Sequence, residues 1–365
     1  MPFDDRDFPA GARPAPSGSR RDRRWVAVWL WAVTGMIFVM VVLGGATRLT
    51  GSGLSIMEWA PVTGALPPLS QAEWQRLFDL YQQIPQYALL HTGMGLAGFK
   101  GLFWLEWIHR LWGRLIGVVF LVPLLVFVAR RMIPRRLVPL LALLFVLGGL
   151  QGAVGWFMVA SGFFPDSTAV SAYRLVAHLV LALALYAATL WTALSLGRWT
   201  PRPLPSRALR TAAVAALASV AVTIVAGGFT AGLHAGLTYN TFPLMDGALV
   251  PPGYLPLTPA WRSLFEDVAT VQFDHRLLAT LTAIACLSAV TLGLAGGVRG
   301  LARGGVLSLG GFVLLQYTLG VATLLNAVPA GLAVAHQATA VLLLSAALVL
   351  CFATRGRPRS TLELP

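Results

Sequence analysis

Apolar windows long enough to cross a lipid bilayer recur along the chain, and no other feature of the sequence restricts its fold as strongly. A helix needs about 20 predominantly apolar residues to span the hydrocarbon core. Because the bilayer offers no partners to backbone N–H and C=O groups, such segments must be helices. We therefore expect an all-α polytopic membrane protein with eight transmembrane helices. The windows lie at roughly 25–45, 115–129 with a polar lead-in from 105, 137–159, 171–195, 209–230, 272–296, 304–325 and 330–353.

Basic residues follow the connections between these windows. The formal net charge of +13 at pH 7 is compatible with nucleic-acid binding in a soluble protein. Here, however, the arginines cluster at both termini and in every second connection, which by the positive-inside rule are cytoplasmic. The basic excess thus indicates membrane topology and not a nucleic-acid partner. The clusters are Arg6, Arg13, Arg20, Arg21, Arg23 and Arg24; Arg130, Arg131, Arg135 and Arg136; Arg198, Arg202, Arg207 and Arg210; Arg299 and Arg303; and Arg355, Arg357 and Arg359.

The first 24 residues mix arginine with aspartate, proline and glycine. Transit peptides are poor in acidic residues and signal peptides carry their apolar core nearer the start. We therefore predict that residues 1–24 form a disordered cytoplasmic tail. The two cysteines, Cys286 and Cys351, fall inside apolar windows, so the sequence predicts no disulfide between loops.

Short motifs recur in the same order in the two halves of the chain. The matching motifs are Gly44-Gly45 and Gly227-Gly228, His109 and His275, Gln151-x-x-x-Gly155 and Gln316-x-x-x-Gly320, and Ala177-His178 and Ala335-His336. From the second pair onward the offset is nearly constant, which indicates a duplicated unit of four helices. Four is an even number, so both copies cross the membrane in the same sense and form a parallel repeat. We expect two four-helix bundles, at 25–197 and 209–354.

Two long segments on the outer side separate the first and second helices of each half. The first, about 46–104, contains aromatic and leucine residues spaced for a short amphipathic helix on the membrane surface, namely Trp59, Trp74, Leu77, Phe78 and Tyr81. The second covers about 231–271. Both segments are suited either to cover an outer pocket or to anchor the chain through an aromatic belt. His91 and His234 lie in them, and we interpret both as surface or lid residues.

Charged residues gather where the second apolar window begins. Glu106 and His109 are three residues apart and so share a helical face, while Arg110 and Arg114 stack on the neighbouring face. The same pattern returns as Asp274-His275-Arg276 at the sixth window. A carboxylate, an imidazole and two guanidinium groups thus sit at the mouth of a transmembrane helix.

Four histidines fall at similar depths in the predicted helices. His109 and His275 lie near the outer starts of their windows, and His178 and His336 lie on the order of 10 Å below the outer surface. A single intramembrane histidine is often only a hydrogen-bonding residue. Two pairs related by duplication favour a functional site instead, because ionisable residues inside the membrane are costly.

Two facing histidines in a helical bundle are typical axial ligands of haem iron. Zinc prefers three or four ligands, and neither pair has a suitable third. The nearby glycines suit the approach of a flat macrocycle, but also close helix packing. The outer arginines suit haem propionates, but also snorkelling to the interface. These residues are Gly148, Gly149, Gly152 and Gly155, and Arg48, Arg110, Arg114, Arg174 and Arg276.

Three longer motifs resemble the haem A synthase family. They are Gly44-Gly-Ala-Thr-Arg-Leu-Thr-Gly-Ser-Gly-Leu-Ser55, Glu106-Trp-Ile-His-Arg-Leu-Trp-Gly-Arg114 and Tyr239-Asn-Thr-Phe-Pro-Leu-Met-Asp-Gly247. The chain is particularly similar to the proteobacterial and mitochondrial form, which lacks paired loop cysteines. The resemblance covers the chain from the first to the eighth window. It implies a monooxygenase-like oxidoreductase that oxidises a ring methyl of haem O to a formyl group, giving haem A for terminal oxidases.

The resemblance also implies a role for each half. His275 and His336 are expected to ligate a haem b cofactor, with Arg276 nearby. His109 and His178 are expected to surround the haem O substrate, with Arg48, Arg110 and Arg114. Glu106 is implied to be the reaction-associated carboxylate. A simple salt bridge from Glu106 to Arg110 is the structural alternative, and the matching position in the second half is Gln272.

The expected location is the bacterial inner membrane, with both termini cytoplasmic and both haem sites towards the periplasm. Membrane lipid, a haem O synthase and an electron donor are the expected partners, and an oligomer is allowed. The main alternative function is a dihaem cytochrome b subunit that only transfers electrons. Such a conductor should place its haems near opposite faces, whereas both histidine pairs lie near the outer face. A transporter would instead have broken helices in corresponding positions, which the sequence does not indicate.

Overall fold

The computed structural model describes residues 20–165, 167–197 and 206–355. Eight of its helices are long and apolar enough to cross a membrane, which confirms the predicted number within the described residues. Three shorter helices lie in the connections. In chain order the helices are α1 Arg20–Leu49, α2 Gln71–Tyr81, α3 Pro85–Leu90, α4 Leu96–Ala129, α5 Val138–Ala160, α6 Ala172–Leu196, α7 Arg207–Gly232, α8 Ser263–Glu266, α9 Val268–Ala295, α10 Gly300–Leu325 and α11 Ala330–Thr354. The described residues contain no β-strand beyond one isolated bridge between Met245 and Ala248.

Helix α1 begins before the apolar window that predicts it. Its first turn, from Arg20, belongs to the stretch 1–24 for which the sequence predicts disorder. An acidic residue in that turn, Asp22, complements the partial positive charge of a helix N-terminus, which favours the extension. Residues 20–24 are therefore helical. The rest of the predicted tail, residues 1–19, lies outside the described residues.

Helix α4 is 34 residues long and begins at Leu96, well before the predicted lead-in at 105. At 1.5 Å per residue it measures about 51 Å, which exceeds a hydrocarbon core of about 30 Å. The additional turns bury Phe99 and Phe103 against the aromatic face of α2. The end of α4 that carries this packing is called the outer end, following the predicted topology.

The predicted amphipathic helix on the outer side is present as α2, but it is shorter than predicted and does not include Trp59. Trp74, Leu77, Phe78 and Tyr81 lie on its buried face as expected. Trp59 lies outside the helix and is 47% exposed. The apolar face packs against α4, because Phe99 and Phe103 offer it a complementary aromatic surface. The segment is therefore docked on the protein itself.

The long helices pack in two closed rings. In one ring α1 contacts α4, α4 contacts α5, α5 contacts α6, and α6 returns to α1. In the other, α7, α9, α10 and α11 follow the same sequence of contacts. The rings meet where α1 and α6 pack against α11 and α7, and the largest apolar cluster of the protein lies at this junction. Side-chain hydrogen bonds cross this junction. The Tyr186 and Ser345 hydroxyl groups lie 2.7 Å apart, and the Gln337 side chain donates to the Val41 carbonyl at 2.7 Å.

Candidate functional site

Each of the four predicted site histidines packs against a glycine of a neighbouring helix. A Cβ atom on these glycines would lie only 2.8 to 3.2 Å from the nearest ring atom, so a side chain there would displace the imidazole. All four histidines are half-buried. The pairs are Gly44 with His109, Gly155 with His178, Gly227 with His275, and Gly320 with His336.

The histidines meet in pairs within each ring of helices. His109 of α4 lies within electrostatic reach of His178 of α6, and His275 of α9 lies within reach of His336 of α11. The sequence predicts this pairing from duplication and depth. Two helices of each ring thus contribute one imidazole each to the same region of the structure.

Two glutamines lie beside the site histidines, although the sequence predicts no role for them. The Gln151 side-chain nitrogen lies 3.1 Å from Nδ1 of His178. The Gln316 side-chain nitrogen lies 3.4 Å from Nε2 of His336. The sequence does contain a signal for these glutamines. In both halves the glutamine comes four residues before the glycine that packs on a histidine ring, Gly155 or Gly320.

The donor set fits a haem better than a bare metal ion. The described residues contain no group of three or more histidine, cysteine or acidic side chains that could hold an ion. Two imidazoles and flat glycine surfaces suit a planar macrocycle with iron between axial ligands. The Nδ1 atoms of His275 and His336 are buried without a hydrogen-bond partner, and a neutral imidazole can bind iron through either ring nitrogen. The residues present are therefore compatible with haem.

Glu106 is buried at the outer part of α4, with only 3% of its surface exposed. Its Oε1 atom accepts a hydrogen bond from Nε of Arg110 at 2.6 Å, so the ion pair considered as the structural alternative is present. Arg110 binds only this oxygen, while Oε2 faces Gly53. Arg110 therefore fixes one carboxylate oxygen of Glu106, and the other oxygen can interact with a different partner.

Arg110 and Arg276 directly follow His109 and His275, and they attach the outer segments to the helices. Arg110 donates to two carbonyl groups in residues 56–58, at 2.8 and 3.0 Å. Arg276 donates to two carbonyl groups in residues 239–241, at 2.7 and 2.9 Å. From the sequence, these arginines are expected only to bind haem propionates or to snorkel to the interface. Their contacts add a structural role that is repeated in the two halves.

Three of the outer arginines keep a buried nitrogen without a hydrogen-bond partner. These atoms are Nη2 of Arg48, Nη1 of Arg114 and Nε of Arg276. An unpaired buried donor carries a desolvation penalty, which a carboxylate ligand would relieve. Arg174 differs, since it donates to the Phe157 carbonyl at 2.8 Å and covers the Phe157 ring.

The loop histidines have separate surroundings. His91 Nδ1 lies 2.5 Å from the hydroxyl of Tyr81, whose pKa burial raises to about 12. The same hydroxyl bonds Gln86, which in turn donates to the Gly51 carbonyl at 3.1 Å. His91 thus helps to hold the outer segment in place. Partial burial and then the charge of Arg48 lower the pKa of His234.

The diglycine motifs place α1 and α7 between the two histidine sites. Gly44 packs on His109, whereas the next residue, Gly45, packs on Gln337, the neighbour of His336. The Gln337 side chain also donates to the Val41 carbonyl at 2.7 Å. In the other half, Gly227 packs on His275 and Gly228 packs on α6 beside His178. Helices α1 and α7, the first long helix of each half, therefore each contact a histidine of their own half and the surroundings of a histidine in the other half.

Comparison with known proteins gives one consistent family. The family model of the cytochrome oxidase assembly protein COX15-CtaA matches residues 27–348. The heme A synthase of Granulibacter bethesdensis is 61% identical over 352 residues, covering 96% of this chain and 92% of that protein. That of Rhodospirillum centenum is 51% identical over 331 residues, covering 90% and 88%. Heme A synthase 2 of Acidiphilium cryptum is 45% identical over 353 residues, covering 95% and 96%. This chain belongs to the haem A synthase family.

Proposed function

We propose that this membrane protein is a haem A synthase, an oxidoreductase that converts a ring methyl of haem O to a formyl group. The observation that carries the proposal is the repeated arrangement of two imidazoles, each on a glycine surface, in both halves. Two such sites suit one substrate haem and one redox haem. Family membership and the printed names of the relatives support the same activity.

We further propose that the second half holds the cofactor. His275 and His336 would ligate a haem b, and Arg276, with its unpaired Nε, would receive a propionate. When bound, haem b supplies one-electron redox chemistry. His109 and His178 would bind the substrate haem O, with Arg48 and Arg114 as its propionate partners. Arg110 would keep the Ile56 to Glu58 segment over this site.

Glu106 is the proposed acid–base group of the substrate site. It lies one helical turn before His109, and Arg110 orients it through Oε1 alone. The second oxygen would then be free to hold or release a proton within the proposed substrate site. At the matching position Gln272 is also buried, and its amide donates to the Tyr239 carbonyl at 3.1 Å. A group that cannot ionise there agrees with a half that only holds a cofactor.

The test of this function is the haem content of the purified protein. Extraction and chromatography should yield haem b together with haem O and haem A. A dihaem electron-transfer subunit would yield haem b alone, and that result would refute the proposal.

The proposed topology predicts which loops face the periplasm. The background for this test is a variant in which the two buried cysteines, Cys286 and Cys351, are replaced. In this background, Asp246→Cys should react with an impermeant thiol reagent in intact cells. Arg299→Cys should react only after the cells are opened. This follows from the basic residues beside α10, which the positive-inside rule assigns to the cytoplasm. The reverse labelling pattern would invert the topology and the predicted side of both sites.

Gly320→Ala should lower the haem b content severalfold. Its Cβ would lie 2.9 Å from the His336 ring, so the imidazole must move away from its position. Gly311→Ala is the matched control on the same helix, because its Cβ would have no neighbour within 4 Å. The absorbance ratio of haem to protein measures both variants. Equal haem content in the two would show that the glycine contact does not position the ligand.

A further inference from the structure

A cavity of about 530 Å³ lies where α1 begins and α4 ends, far from the histidine sites. Along α4 it is about 30 Å from His109. Both helices are long and apolar enough to span the membrane, and their apolar stretches meet the basic connections here. The cavity therefore lies at the boundary between the lipid core and the headgroups. It is lined by Arg21, Asp22, Trp25, Phe127, Arg130 and Met132.

The end of α4 forms one wall of the cavity through a defined turn. Arg131 has a left-handed backbone conformation, with φ 55°. Its N–H group donates to the Val128 carbonyl at 3.0 Å, and the N–H group of Met132 donates to the Phe127 carbonyl at 2.9 Å. These two bonds form a Schellman motif, in which the chain folds back on the last helical turn. Phe127, Arg130 and Met132 consequently line the same cavity.

Helix α1 forms the other wall. Arg21 and Trp25 are four residues apart and share a helical face. One turn further along this face, the Trp29 ring packs on Phe127 with a centroid distance of 5.6 Å. The Trp29 indole also donates to the Val119 carbonyl at 2.8 Å. This packing fixes α1 against α4, so the positions of the two walls relative to each other are set by the fold.

The charges of the cavity favour an anionic ligand. Arg21 and Arg130 are exposed, and no ion pair involves either of them in the part of the chain that the structure describes. Together with Asp22 they give a net charge of +1, which complements a phosphate diester. Guanidinium groups bind phosphate oxygens through paired N–H donors. Further exposed arginines adjoin the cavity in the sequence, namely Arg23, Arg24 and Arg131.

We propose that this cavity binds an anionic phospholipid with a glycerol headgroup, phosphatidylglycerol. Basic pockets between transmembrane helices recognise anionic headgroups in this way. Arg21 and Arg130 bind the phosphate, and Asp22 accepts hydrogen bonds from the headgroup hydroxyls. Trp25 and Phe127 give apolar surface to the start of the acyl chains, at the level where interfacial aromatic residues lie. A zwitterionic phosphatidylethanolamine fits less well, because the surrounding arginines repel its ammonium group.

The test compares the parent protein with Arg21→Gln/Arg130→Gln, both full-length and purified in detergent. Each is incubated with equal amounts of phosphatidylglycerol and phosphatidylethanolamine, and native mass spectrometry counts the lipids that stay bound. The parent should retain one phosphatidylglycerol. The double variant should retain it roughly 10-fold less well, the effect expected for two basic residues at a membrane surface. The control Arg299→Gln/Arg303→Gln removes the same charge from the connection before α10 and should behave as the parent.

Three results would overturn the proposal. They are equal retention of phosphatidylethanolamine by the parent, an equal loss in the control variant, and displacement of the lipid by millimolar inorganic phosphate, which would assign the cavity to the free ion. Trp25→Ala keeps both arginines and removes apolar surface, and it should also lower retention. This variant replaces the double variant if the latter fails to insert. The measurement counts lipid and not haem, so its outcome is independent of the proposed function.

Discussion

Glu106→Gln is expected to fold, keep its haem b and bind haem O, yet form haem A at least about 100-fold more slowly, the lower bound for a positioned acid–base group. Glutamine has the shape of the carboxylate and still accepts a hydrogen bond from Arg110, whose bond to Oε1 measures 2.6 Å. Arg110 also keeps its two carbonyl partners, so the outer segment stays attached. The lost property is the ability to exchange a proton. Chromatography of extracted haems measures the ratio of haem A to haem O.

Arg110→Lys provides the control for a purely structural carboxylate. Lysine retains the charge but not the forked donors that bind Glu106 and the loop carbonyls. If Glu106 acts only through this ion pair, the lysine variant should lose as much haem A as Glu106→Gln. A normal haem A yield from Glu106→Gln would remove the residue from the mechanism altogether.

His336→Ala should remove most of the haem b while the chain still inserts into the membrane. The His336 imidazole packs on Gly320 and lies within electrostatic reach of His275. Its loss would leave the proposed haem with one axial ligand and an empty volume beside the glycine. His275→Ala is expected to have the same effect. Difference spectra of the reduced protein, normalised to its amount in the membrane, measure the result.

The matched variant is His178→Ala, which removes the corresponding imidazole of the other half. It should retain haem b and lose the binding of haem O. Full haem b in His336→Ala together with loss in His178→Ala would exchange the proposed roles of the halves.

The bounds of the transmembrane helices could be predicted closely, because a segment that spans the lipid must be apolar over most of its length and hydropathy therefore identifies it. Helix α5 spans Val138–Ala160 against a predicted 137–159, and α6 spans Ala172–Leu196 against 171–195. The start of α4 was predicted too late. Its outer turns are stabilised by packing of Phe99 and Phe103 on α2, a tertiary contact that a window of local hydropathy does not contain.

Within the site, duplication predicted the histidine pairs but not the differences between the halves. Gln151 and Gln316 are the same residue at the same spacing, and only their contacts separate them. The multiple contacts of Arg110 depend on where residues 56–58 fold back, which no local pattern specifies. The division into halves at 25–197 and 209–354, the identity of the cofactor, the electron donor and contact with a haem O synthase stay predictions.

The diglycine motifs have a consequence for how such a protein can be divided. Gly45 of α1 packs on Gln337, and Gly228 of α7 packs on α6. Each histidine site is therefore lined in part by a helix of the opposite half. A fragment covering 207–355 would expose Gln337 where α1 normally accepts its hydrogen bond at 2.7 Å. We therefore expect that neither half alone would bind its proposed haem, since the covalent link keeps the two halves at a high effective concentration. A bulky residue at Gly45 should therefore disturb the proposed haem site of the second half, so that the two sites are coupled through the helices between them.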